Sequence, residues 1–124
     1  MSKYHAKKLT IGGDTFDSRK EYHRYRELLL LESAGKITQL RRQVSFQLIP
    51  PQYEVTERYS QKTGKRLRDG KKLVERGVYY IADFVYSAQD GVTVVEDVKG
   101  MKTPEYILKR KLMLYVHGIK ILET

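Results

Sequence analysis

Asp83, Asp97 and Lys99 are the side chains of this 124-residue chain whose types and spacing could do chemistry. They lie in the stretch from Tyr79 to Gly100, YYIADFVYSAQDGVTVVEDVKG, where valines, an isoleucine and tyrosines surround them on both arms of an expected β-hairpin. Charged groups in a half-buried sheet are costly unless they are paired or bound to a metal. Two carboxylates held side by side repel, and one pKa rises unless a cation lies between them. Hard oxygen ligands suit Mg²⁺ or Mn²⁺, and a neighbouring ammonium can orient an attacking water or offset charge developing on a phosphate. Metal-assisted hydrolysis of a phosphodiester is the chemistry of such a group. The plain alternative is that both aspartates form ion pairs with Lys or Arg, which are plentiful here.

Whether these residues meet depends on the register of the hairpin. Gln89-Asp90-Gly91 is good turn material, with Gly91 available for a left-handed backbone. A three-residue loop pairs Ala88 with Val92 and sets Asp83 opposite Asp97, roughly 4.5–5.5 Å apart on one face. Lys99 shares that face by strand alternation, while Val94, Glu96 and Val98 point to the other side. A two-residue Asp90-Gly91 turn would instead oppose Asp83 to Val98 and bring Glu96 near it. The first register is preferred, because it gathers the three groups.

The elements that must position this hairpin follow from local signals. Met1 to Lys8 reads as a basic arm, and Ile11-Gly12-Gly13-Asp14 as a turn with a brief strand. A helix is expected from Ser18 to about Ala34, ended by Gly35. Its four consecutive leucines, Leu28 to Leu31, suggest burial on two sides, with a dimer contact as the alternative. Ser18 and Glu21 fit a capping box, and Glu21 also lies on the side that packs on the sheet. Ile37 to Ile49 alternates as a strand, Pro50-Pro51 stops it, and Tyr53 to Tyr59 resumes an extended pattern. Gln61 to Lys72, QKTGKRLRDGKK, is the most polar segment and reads as a protruding loop or hairpin tip. Its Lys62, Lys65, Arg66, Arg68, Lys71 and Lys72 are candidates to grip phosphates. Thr103-Pro104-Glu105 opens a second helix that runs to about Val116 before Gly118. That helix carries Lys109 and Lys111 as candidate phosphate contacts, and Ile119 to Leu122 makes a closing strand.

Composition agrees with one small domain over residues 1–124. Lys plus Arg number 24 against 15 Asp plus Glu, a formal net charge of +9, which favours a polyanion as partner. There is no cysteine, hence no disulfide or thiolate metal site. No apolar run approaches the roughly 20 residues needed to cross a bilayer, so no membrane partner and a cytoplasmic home are expected. His5, His23 and His117 have no metal-ligand spacing, and Gly12-Gly13 lacks the Lys-Ser/Thr of a nucleotide-binding loop.

The order of these residues carries a resemblance. Asp83 followed by Asp97-Val98-Lys99 resembles the split motif of the PD-(D/E)XK nuclease superfamily, with alanine at position 82 where that signature has proline. FDSRKEYHRY, from Phe16 to Tyr25, looks like the first core helix of the superfamily, and Glu21 matches the glutamate that often joins its metal site. The blocks FDS–KE–Y, Y–ADFVY and VVEDVKG are also similar to a family of small uncharacterised proteins common in phages and prophages. The resemblance implies an α/β, restriction-endonuclease-like αβββαβ core, a mixed sheet flanked by helices. It implies a metal-dependent DNA endonuclease in which Glu21, Asp83, Asp97 and the Val98 carbonyl hold Mg²⁺ or Mn²⁺ and Lys99 assists the attacking water. Branched, Holliday junction-like DNA is a suggested substrate, since the superfamily includes junction-resolving members, and two active sites would then require a homodimer. A catalytically inactive nucleic-acid-binding module and a phage protein–protein adaptor are the alternative readings.

Overall fold

A computed structural model describes residues 8–124 of the chain. Apart from Lys8, the expected N-terminal arm lies outside the described residues, as does His5. Among the described residues the elements run β1 (Leu9–Ile11), β2 (Asp14–Phe16), α1 (Arg19–Ser33), β3 (Ile37–Ile49), β4 (Gln52–Thr56), β5 (Gly70–Glu75), β6 (Val78–Ala88), β7 (Thr93–Asp97), α2 (Pro104–His117) and β8 (Leu122–Glu123). The fold is mixed α/β.

Gly91 decides how the central hairpin closes. It takes φ +85°, a conformation that L side chains rarely adopt. Ala88 N–H donates to the Val92 carbonyl at 2.9 Å, and Gly91 N–H donates to the Ala88 carbonyl at 2.9 Å. The Asp90 carboxylate accepts from Val92 N–H at 3.0 Å. The ladder that follows pairs Ser87 with Thr93, Tyr86 with Val94, Val85 with Val95 and Phe84 with Glu96. One more step sets Asp83 against Asp97, so the three-residue loop is the one found.

β6 and β7 lie inside a four-stranded sheet of order β3-β6-β7-β8, with β6–β7 antiparallel and β7–β8 parallel. In chain order this unit reads α1, β3, β6, β7, α2, β8. The helices cover opposite faces, as Glu96 in β7 and Lys99 just beyond it make plain. Glu96 points to Arg24 of α1, whereas Lys99, beyond Asp97 on the other side, lies 4.0 Å from the Tyr106 ring of α2. On the α1 face Leu28, Ile37, Phe84 and Tyr86 form a buried cluster, and Tyr25 stacks parallel to Phe84 with centroids 6.0 Å apart. On the α2 face Tyr80 packs between Phe46 and Tyr106, at 6.5 and 6.4 Å.

Both helices start as their residues dictate. The Ser18 hydroxyl accepts from Glu21 N–H at 3.1 Å, and Thr103 accepts from Tyr106 N–H at 3.1 Å ahead of Pro104. The reciprocal arm of the expected capping box lands one residue early, because the Glu21 carboxylate accepts from Asp17 N–H at 2.9 Å. Gly118, at φ +67°, ends α2 after His117.

Three expectations are corrected. Leu28 is fully buried, but Leu29, Leu30 and Leu31 are 39%, 71% and 37% exposed, so α1 is not buried on two sides. Consecutive residues advance about 100° around a helix, and the sheet covers only one side of this one. The closing strand is Leu122–Glu123 rather than Ile119–Leu122, because β8 pairs in parallel with Glu96 and Asp97. Gly70, Lys71 and Lys72, read as loop, begin β5, whose polar composition hides the strand.

Residues Gln47–Tyr79 form a second compact unit. It is an antiparallel ribbon in which Tyr53 opposes Leu73, Glu54 opposes Lys72, Val55 opposes Lys71 and Thr56 opposes Gly70. At its tip Tyr59 bridges to Arg66, and Ser60 N–H donates to the Lys65 carbonyl at 2.8 Å. The segment 61–72 is therefore a hairpin tip together with the start of its second strand.

Candidate active site

The β6–β7 ladder ends at Phe84 and Glu96. The next inward-facing backbone donor, Val98 N–H, is taken by the Asp83 carboxylate at 2.8 Å instead of by a backbone carbonyl. Asp83 thus sits where the strands part, open to groups from both faces of the sheet.

Four carboxyl groups gather around this opening. Asp97, opposite Asp83, is 3% exposed, and Glu21, at the start of α1, is 2% exposed. Asp17, Glu21 and Asp83 can each bring one oxygen within 4.8 Å of the others. Burial, then the neighbouring Asp97 carboxylate, push the Asp83 carboxyl up to about 8, against a smaller lowering by Val98 N–H. Burial also raises Glu21, partly offset by the Asp17 amide and by Arg42.

The remaining contacts hold these acids in place. The Gln43 side-chain amide donates to Glu21 at 3.1 Å and to Asp83 at 3.4 Å, joining α1, β3 and β6. Gln43 does so from a left-handed backbone, φ +53°, which is strained for a side chain other than glycine. Arg42 lies 3.5 Å from Glu21 with its guanidinium over the Phe16 ring at 4.0 Å. Asp97 Oδ2 accepts from the buried Tyr80 hydroxyl at 2.8 Å and pairs with Lys99 Nζ at 2.9 Å. Burial and the Asp97 charge raise the Tyr80 pKa, so the phenol remains a donor. Lys20 Nζ donates to the Lys99 carbonyl at 3.1 Å, tying α1 to the segment that follows β7.

The structure therefore brings together Glu21, Asp83, Asp97, Lys99 and the Val98 backbone. Asp83 is the hub: Asp97 lies on one side of it and Glu21 with Asp17 on the other. Asp17, Gln43, Arg42 and Tyr80 join the site without having been singled out in the sequence. Asp17 could have been noticed as the acid immediately before the N-cap of α1. Gln43 and Tyr80 carry no local signal, since each reaches its partner through tertiary packing. Among the candidate phosphate contacts, Lys109 pairs with Glu105 at 3.1 Å and Lys111 is exposed on α2. Lys62, Lys65, Arg66, Arg68, Lys71 and Lys72 are all exposed on the ribbon, with Arg66 paired to Asp69 at 2.8 Å.

No described helix is long and apolar enough to cross a membrane. Neither the curated proteins nor the solved structures contain a match to this chain. A family model matches residues 1–120, and the chain with this carboxylate cluster belongs to that family, Protein of unknown function (DUF1064).

Proposed function

We propose that the protein is a divalent-metal-dependent DNA endonuclease of the PD-(D/E)XK type, built on a restriction-endonuclease-like core. The observation that carries this reading is the crowding of buried carboxyl groups at Asp83, beside an ammonium held on Asp97. Such crowding fits a hard cation: like charges that oppose each other become ligands when an ion neutralises them. Glu21, Asp83, Asp97 and the Val98 carbonyl would hold Mg²⁺ or Mn²⁺. When bound, the ion would polarise the phosphoryl oxygen and ease ionisation of a water.

The chain's own groups divide the remaining work. Gln43 fixes the spacing of Glu21 and Asp83, and Tyr80 fixes the rotamer of Asp97. Lys99 reaches past Asp97 to orient the water or to offset charge on the scissile phosphate. Arg42 and Lys20 hold the start of α1 against the site. The net charge of +9 supports a polyanionic substrate. DNA is the polyanion we assign, with branched junctions cut by a homodimer as one form of the reaction.

Incubation with plasmid, linear duplex and a four-way junction in Mg²⁺ or Mn²⁺ tests the proposal. Cleavage is expected, and Asp97→Asn or Lys99→Ala should lower it by about 100-fold or more. Tight, salt-sensitive binding with no cleavage under any of these conditions would replace the nuclease with a silent nucleic-acid-binding module on the same fold.

A further inference from the structure

The β4–β5 ribbon has two unlike faces. Directly opposed residues of an antiparallel pair share a face, so Tyr53, Leu73, Val55 and Lys71 lie together on one side. Glu54, Lys72, Thr56 and Gly70 lie together on the other. The first face is apolar yet open to solvent: Tyr53, Val55 and Leu73 are 54%, 71% and 46% exposed. Lys71 borders it, with its ammonium 5.8 Å from the centre of the Tyr53 ring.

We propose that this ribbon enters the major groove of duplex DNA with its Tyr53–Val55–Leu73 face toward the base edges. The inference rests on DNA being the polyanion assigned above, and it names duplex as the form that is recognised. A ribbon that only gripped phosphates would need cations and no apolar stripe. Here both are present, since residues 47–79 hold eight Lys or Arg against four Asp or Glu. A groove offers the matching surface, with base edges and thymine methyls on its floor and phosphates along its walls. The major groove, about 12 Å wide, admits a two-stranded ribbon. The exposed Lys62 and Lys65 at the tip and Lys71 and Lys72 along β5 would reach the phosphates. A second copy of the ribbon is a poor occupant of the same face, because it brings the same positive excess.

Fluorescence anisotropy in EDTA, where no cleavage intervenes, separates the two kinds of contact. Wild type should prefer a 20-base-pair duplex over its single strand. Tyr53→Ser/Val55→Ser/Leu73→Ser should weaken duplex binding about tenfold or more, the equivalent of roughly 1.4 kcal/mol, with the salt dependence kept. Lys62→Ser/Lys65→Ser/Lys71→Ser/Lys72→Ser should instead flatten the slope of log affinity against log salt by about 0.9 per lost contact. Dimethyl sulfate footprinting of the wild-type complex needs no variant, and guanine N7 in the major groove should be protected. Unchanged N7 reactivity, preference for the single strand, or an apolar-face variant that binds duplex like wild type would each overturn the proposal. So would dissociation of a dimer by that variant, which would give the face to a second copy. Duplex held in EDTA but left uncut in Mn²⁺ would sink the nuclease reading and leave this one standing.

Discussion

Asp83 and Asp97 oppose each other across two strands, and burial makes that opposition costly. Asp83 keeps its proton up to about pH 8, while an unfolded aspartate releases it near the ordinary value of 3.8. Between those values the folded chain binds more protons than the unfolded one, so rising pH favours unfolding. In chelator, the thermal midpoint should therefore fall as pH rises from about 4 to about 8, and the decline should stop once both states have lost the proton. Asp83→Asn should flatten that decline and raise the midpoint at pH 8 by about 5 °C or more. Saturating Mn²⁺ should reverse the loss for wild type but not for the variant; differential scanning calorimetry reads both. Gln43 offers a second test at this scale, because two demands meet in one residue. Gln43→Gly relieves a φ of +53° and removes the amide shared by Glu21 and Asp83. Stability should hold or rise by up to about 1 kcal/mol, while Mn²⁺ affinity measured by titration calorimetry falls. A purely structural glutamine would lower both.

At the scale of elements, α1 is pinned to β7 by an ion pair whose carboxylate is buried and whose guanidinium is partly exposed. Glu96 is fully buried and receives Arg24 Nε at 2.6 Å, Arg24 Nη2 at 2.9 Å and the Tyr86 hydroxyl at 2.7 Å. Thr124 Oγ1 adds a fourth donor at 3.2 Å, from the end of the sheet that β8 closes. Arg24→Met would leave the carboxylate with neutral partners alone, and chemical denaturation should register a loss of about 3 kcal/mol or more. Replacing both partners at once, Arg24→Met/Glu96→Leu, should recover most of that loss, since the buried charge goes with its counter-charge. Glu21 rides on α1, so the single variant should also weaken Mn²⁺ binding beyond what the double variant does. The hairpin is held differently: Gly91 at φ +85° sets the loop, and Gly91→Val should destabilise by about 1–2 kcal/mol through backbone strain alone. Comparison of hydrogen exchange at Val92 N–H with that in β8 would locate the effect.

For the molecule as a whole, the local parts were legible in the order of residues. The caps at Ser18 and Thr103, the stop at Gly118 and the loop at Gly91 each depend on backbone sterics and near neighbours. Once the loop is set, strand alternation carries Asp83 to Asp97 with no further information. Both helices, the long strand after α1 and the central hairpin could be read for the same reason. The leucine run could not be resolved, because which residue of a helix is buried depends on where the sheet lies. Nor could β5, where lysines occupy a strand that an alternation rule reads as loop. The sequence by itself determined the start of each helix and a glycine turn that favours one register of the hairpin, since those follow from bonds a few residues long. Only the tertiary structure decided that Gln43, Asp17 and Tyr80 complete the cluster and that Glu96 serves Arg24 instead. Those partners meet across separations of up to 72 residues, where packing and the pairing of buried charge choose among neighbours that no local pattern distinguishes.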